Sequence, residues 1–133
     1  MAVAFQVLLY LSMGLVEFGQ YFYIKHTFDA AVRDGARYAI LSTATQSQFV
    51  STITSMLGQS NISYNSSWLT VTDLSTSSTV SDVSQVNAGD ELQFTLSTNY
   101  GSISNAVRPL YSITGAGIGS SKMITSTCIM VKE

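Results

Sequence analysis

Sixteen consecutive residues without a charge, MAVAFQVLLYLSMGLV, begin this sequence, and from Met1 to Ile24 the only charged residue is Glu17. At about 1.5 Å of rise per residue, 24 helical residues reach roughly 36 Å, enough to cross a hydrocarbon core of about 30 Å. A secretory signal peptide would carry a basic n-region and about 7–15 apolar residues. Here no cation precedes Lys25 and the apolar run is longer. A helix that is apolar all round also needs more protein to bury it than a chain of 133 residues supplies. Residues 1–24 are therefore expected to form a membrane-spanning or filament-core helix.

Glu17 is the anomaly in that segment, because a carboxylate in a spanning helix is costly unless it is paired or reaches the interface. Two readings are open. Either Glu17 sits at the interface among Gln20, Tyr21 and Tyr23, or it pairs with a cation of another subunit, the α-amino group of Met1 or Lys25. Within one helix Lys25 lies roughly 12 Å away, too far for a direct pair. The early cations Lys25, Arg33 and Arg37 all follow the span, which by the positive-inside rule would hold the C-terminal part in the cytoplasm. Ser and Thr, however, fill 13 of the 30 positions from Gln59 to Ala88, a composition that fits an extracytoplasmic domain. A basic leader removed from in front of Met1 reconciles the two.

Past Ile24 the pattern turns amphipathic. Ile24, Phe28, Ala31, Val32, Gly35 and Ala39 share one helical stripe, and Lys25, Asp29, Arg33 and Arg37 share another that reads as a solvated face. Ala31, Gly35 and Ala39 are small residues four apart, which would let a second backbone approach closely. The helix is expected to continue over 25–41. A shorter one follows over 46–57 with Gly58 as its C-cap. Eight of the fourteen aromatic residues lie in the first forty positions, and the cluster at 18–23 suits a membrane-interface belt or a fibre core.

From Trp68 the period becomes two. Trp68–Leu74 alternates as a half-buried strand with Trp68 on the Thr side, and Thr79–Val86 alternates less regularly. Asn87–Asp90 is a turn, Glu91–Tyr100 the clearest strand, and Ser121–Val131 the last. Between Gly101 and Gly119 lies a loop with Pro109 and an apolar patch of Val107, Leu110, Tyr111 and Ile113. The fold class is α+β: a long N-terminal helix packed by its second half on a small antiparallel sheet. The segments are 1–24, the apolar helix, and 25–133, a globular domain whose sheet occupies 68–132.

Chemistry is sparse. A net charge of −2 with six basic residues leaves no footprint for nucleic acid. One Cys and one His cannot build a zinc site, which takes four such ligands, and a lone Cys excludes an intrachain disulfide framework. His26 has Asp29 three residues on as a hydrogen-bond acceptor, but no nucleophile signature surrounds Cys128 or any Ser. Cys128 reads as a small buried hydrophobe. Gly115–Gly119 lacks the Lys and following helix of a phosphate loop. Asn61-Ile62-Ser63 and Asn65-Ser66-Ser67 match the N-glycosylation pattern. No enzyme activity, metal or cofactor is expected.

Gly14-Leu15-Val16-Glu17-Phe18-Gly19-Gln20, followed by Ala30-Ala31-Val32-Arg33-Asp34-Gly35-Ala36-Arg37-Tyr38-Ala39, resembles the TadE-like pilins and pseudopilins of Tad-type pilus systems. The tail, with Gly89-Asp90, the strand Leu92–Leu96, the loop around Pro109-Leu110 and Ile124–Glu133, is similar to the C-terminal layout of that family. The resemblance covers roughly residues 5–41 and 88–133. It implies a precursor with a short basic leader cut by a prepilin peptidase after a Gly, and a stage in the inner membrane. It further implies extrusion by membrane machinery into a helical filament at the cell surface, built from copies of the chain and other pilins. Type IV pilins usually carry a glutamate a few residues into the mature chain, where this sequence has Ala4, Phe5 and Gln6. Glu17 takes that role, or assembly does without it, or Met1 is not the processed terminus. The expected function is a structural pilin subunit, with Met1, Gly14, Glu17, Lys25, Ala31, Gly35 and Ala39 as assembly residues. The alternative is a monomeric membrane-anchored extracytoplasmic binding module.

Overall fold

The computed structural model describes residues 2–104, 106 and 108–133. The assembly candidate Met1, and Val107 of the apolar patch, lie outside them. Helix α1 (Ala2–Ala39) is a single run of 38 residues, unbroken where the expected segments meet at 24 and 25. Its second half buries Ile24, Phe28, Ala31, Val32, Gly35 and Ala39, the expected stripe, and Ala36 besides.

Helix α2 (Gln46–Gln59) starts where the Thr45 side chain accepts the Gln48 N–H. It runs through Gly58, so the expected C-cap there is incorrect. The left-handed position falls instead on Asn61, with φ 55°. The Asn61 and Ile62 amides donate back to the carbonyls of Gly58 and Leu57 at 3.0 Å, and Leu57 and Ile62 are both buried. Asn tolerates this backbone conformation, and the apolar pair on either side of the reversal holds it.

Four strands follow: β1 (Leu69–Asp73), β2 (Ser78–Thr79), β3 (Glu91–Asn99) and β4 (Met123–Val131), in the antiparallel order β2-β1-β3-β4. Two sequence expectations change here. The strand anticipated over Thr79–Val86 contracts to the two residues of β2, because Asp82 accepts the N–H and hydroxyl of Ser84 and draws 83–85 into a 3-10 turn. That turn delivers Val83 to the core, where the Gln46 side chain accepts its N–H. Trp68 is not on the Thr face of a strand. It ends a 3-10 turn capped by Asn65, and its ring stacks on Phe28 with centroids 6.1 Å apart.

Both long helices cover one face of the sheet. Leu92, Phe94 and Leu96 of β3 and Ile124 of β4 meet them, and Phe49 of α2 lies edge-on to Phe94 at 5.4 Å. Helix α1 runs in the same direction as β4. The Lys25 ammonium donates to the Thr125 carbonyl near the start of that strand (2.7 Å). The Lys132 ammonium donates to the carbonyls of Ala39 and Leu41 beyond its end (2.8 Å each). Lys132 thereby satisfies carbonyls that the end of a helix leaves open. Burial pushes its ammonium below the ordinary 10.5. The domain thus has a proximal end, where β3 finishes and β4 begins, and a distal end beside the last turn of α1.

The small-residue face of α1 is occupied from within the chain, which corrects its expected use by a neighbouring subunit. A Cβ at Gly35 would stand 2.8 Å from Ile53 Cγ1 and 3.0 Å from Phe49 Cε2, both on α2. Ala31 and Ala39 are fully buried in the same core.

Candidate functional site

The first half of α1 projects from this two-layer body with its side chains uncovered. Val3 is 75% exposed and Leu15 71%, with Phe5, Val7, Leu8, Leu11, Val16, Phe18 and Phe22 also exposed. Only 6% of the most apolar 18-residue stretch of the helix is buried. A core helix of a soluble protein would be mostly covered, and contiguous apolar surface on this scale marks a site of association with lipid or protein. Along one flank Tyr10, Leu11, Leu15, Phe18 and Phe22 border a shallow apolar groove of ≈ 580 Å³ floored by Gly14 and Gly19. Among the described residues, and apart from the helix's own adjoining turns, nothing lies within 4 Å of where a Gly19 Cβ would be. Gly inside a helix costs about 1 kcal/mol against Ala, and no contact within the fold requires it at that position. Gly14 differs, since Leu110 lies 3.6 Å from its Cβ position.

Glu17 interrupts this surface and is 0% exposed. What covers it is the segment read from sequence as a plain loop, which contains a third helix, α3 (Pro109–Thr114). Pro109 stands in the first turn, where its missing N–H costs nothing. The next two amides, of Leu110 and Tyr111, both donate to Glu17 Oε2 at 3.0 Å. The Ile118 amide donates to Oε1. Arg108, the residue before the helix, makes no side-chain cap, so a carboxylate from α1 does the capping. Gly115 ends α3 in the left-handed conformation, and Gly117, at φ +109°, passes so close that its Cβ would stand 2.5 Å from Oε1. Only glycine suits both the backbone and the space there.

The structure gives Glu17 partners that neither sequence reading named, three amides of its own chain. The signal missed for α3 itself was local, a Pro opening and a Gly closing six residues, which marks a short helix. Around this nest Tyr100 is fully buried and edge-on to Tyr21, with ring centroids 5.6 Å apart. Burial pushes the Tyr100 phenol above its ordinary 10.0, and the Glu17 charge adds to this while Arg108 offsets part of it. The Arg108 guanidinium carbon stands 5.7 Å from the centre of the Tyr111 ring.

Lys25, the other proposed partner, is engaged inside the chain. Its ammonium lies 3.0 Å from Asp29 Oδ1 in addition to its bond to Thr125. Asp29 also accepts the Ser126 hydroxyl at 2.5 Å, so its expected acceptor role toward His26 goes to Lys25 and Ser126; His26 is exposed. Of the charge stripe, Arg33 and Arg37 are the solvated members, Arg37 lying 3.8 Å from Asp34. Cys128 is half-buried on the helix-facing side of β4. Asn61 is exposed at the end of α2, and the Asn65 side chain accepts from the backbone and hydroxyl of Ser67. Among the described residues no group of three or more His, Cys, Asp and Glu side chains is placed to hold a metal ion.

No curated protein and no solved structure matches this chain. The family comparison matches at the apolar helix and its buried carboxylate: residues 1–37 fit the model of the TadE-like protein family.

Proposed function

We propose that the chain is a structural pilin subunit that polymerises through α1 into a Tad-like type IV pilus at the cell surface. It would reach the filament after a stage in the inner membrane. The observation that carries the reading is the bare apolar half of α1, an exposed hydrophobic rod rigidly continuous with a folded domain. In water such a surface is satisfied by lipid tails or by copies of itself. The family match over this helix supports the pilus setting. Because the small-residue face and Glu17 are consumed inside the subunit, the contacts between copies are apolar, made by the exposed faces of residues 3–22. A prepilin peptidase, other pilins and membrane assembly machinery are the partners such a subunit needs. Mechanical shearing of producing cells, followed by electron microscopy and mass spectrometry of the released material, tests the reading. Filaments containing this chain are expected. Recovery of the chain only from detergent-extracted membranes, as a monomer, would establish an anchored binding module in its place.

A further inference from the structure

The buried Glu17 has a geometric consequence for the membrane stage. The part of α1 free of its own domain ends short of Gly14, which lies beneath Leu110. The uncharged run ends at Val16, and Phe18, Tyr21, Phe22 and Tyr23 follow it, an aromatic belt of the kind that sits at headgroup level when an apolar helix is inserted. The segment 108–122, strapped onto α1 at Glu17, therefore stands level with the outermost part of the apolar layer.

Its composition suits that depth. From Pro109 to Ser121 there is no charged residue, and Arg108 and Lys122 bracket the stretch. Ile113 is 62% exposed. Ser112 N–H donates to the Arg108 carbonyl, and the Thr114 hydroxyl donates to the Leu110 carbonyl and accepts the Ala116 N–H. These polar groups are thus paired locally, as an apolar surrounding demands. The domain is also polarised. Its proximal end carries Arg108, Lys122 and Lys25, against Asp29 and the enclosed Glu17. Asp73, Asp82, Asp90, Glu91 and Glu133 gather at the distal end with Arg37 and Lys132. An anionic lipid surface attracts the first end and repels the second.

We infer that the 108–122 strap is a membrane-contacting element, seated at the boundary between headgroups and acyl chains of an anionic bilayer, with Ile113 in lipid and the exposed Lys122 at phosphate level. This rests on the reading of α1 as membrane-inserted. The Glu17 nest makes the seating feasible, since it closes the carboxylate off before the helix sinks past it.

The test uses the full chain with Cys128→Ala, reconstituted in vesicles of phosphatidylethanolamine and phosphatidylglycerol. Single cysteines replace Phe5, Ile113 or Ile129 and carry an environment-sensitive fluorophore. Quenching is read with lipids bearing a nitroxide either high or low on the acyl chain. The Phe5 probe should be quenched by the low nitroxide. The Ile113 probe should be quenched by the high one, several-fold more than the probe at Ile129, which is exposed on the outer face of the sheet. Vesicles of phosphatidylcholine alone should weaken the Ile113 signal. A quenched Phe5 probe with an unquenched Ile113 probe would overturn the inference and leave the inserted helix standing. If Phe5 itself escapes quenching, the membrane reading fails first and the inference falls with it. An Ile113 emission shift that follows protein density and ignores the quencher would assign the face to a second copy, and the inference would again be wrong.

Discussion

Three amides converge on one carboxylate at Glu17, and the cost of losing it is set by what happens to the donors. Hydrogen bonds to charged groups contribute about 1.5–3 kcal/mol each. Opening of the strap lets water recover part of that loss. Glu17→Ala should therefore destabilise the full chain in detergent by about 2 kcal/mol or more, with loss of amide-exchange protection at Leu110, Tyr111 and Ile118. Glu17→Gln should fall between the two, since it keeps one acceptor oxygen and turns a donor toward another N–H. Gly117→Ala should mimic Glu17→Ala in part, through strain at φ +109° and collision with Oε1. In the Glu17→Ala background its penalty should shrink to the backbone component, which a double-mutant cycle on thermal unfolding reads directly. A second carboxylate acts through the same kind of contact in water. The Thr76 hydroxyl holds the Asp73 carboxyl below its ordinary 3.8; burial opposes this, and the amides of Ser75 and Thr76 reinforce it. A depressed folded pKa contributes stability that is complete above 3.8 and is lost as pH falls through the folded value. The stability gap between the wild type and Asp73→Asn, followed by urea midpoints across that range, should accordingly close on acidification.

At the scale of the element, α1 serves two surroundings along one continuous helix, and the small residues in each half distinguish them. Gly35 faces α2 with Ile53 and Phe49 already at contact distance. Gly35→Leu should overpack that seam and cost about 1–3 kcal/mol in the monomer, lowering the melting temperature whether or not filaments form. Gly19 faces open space. Gly19→Ala should leave the fold intact and gain up to about 1 kcal/mol from helix propensity, while reducing filament yield if the groove between Leu15 and Phe22 receives a neighbouring helix. The buried stripe of α1 and strand β3 were legible in the sequence because their periods of 3.6 and 2 were uninterrupted over many residues. Val83 and Trp68 were misread because each is carried inward by a 3-10 turn, set by the side chains of Asp82 and Asn65, which leaves no periodic trace. Glu17 and Lys132 eluded the sequence reading for a different reason. Their partners lie 91 positions away or more, and a charged side chain capping a distant helix has no local signature.

For the molecule as a whole, the boundary between rod and domain lies several residues nearer the N-terminus than hydropathy alone suggests. Charge patterning divides the chain at 24 and 25, but packing reaches back to Glu17 and to Gly14 beneath Leu110, with Tyr21 against Tyr100 between them. A fragment beginning at Lys25 would discard Ile24 from the core and remove the cap from α3, leaving the amides of Leu110, Tyr111 and Ile118 without their acceptor. A fragment beginning at Leu15 would keep all of these and shed most of the exposed apolar surface. The two truncations should behave differently even though both lack the greater part of the rod. The longer fragment is expected to be a folded, monodisperse monomer whose strap resists limited proteolysis. The shorter one should retain the sheet but be cut rapidly between residues 108 and 122, and it should melt lower by the cost of the lost nest. Size-exclusion chromatography, protease mapping and thermal unfolding of the two fragments side by side decide the matter. Equal protection of the strap in both would mean that its fold is held by the sheet alone, with Glu17 a passenger. Selective cleavage in the shorter fragment would show that the apolar helix and the outer domain are joined structurally, through one carboxylate, before any second subunit arrives.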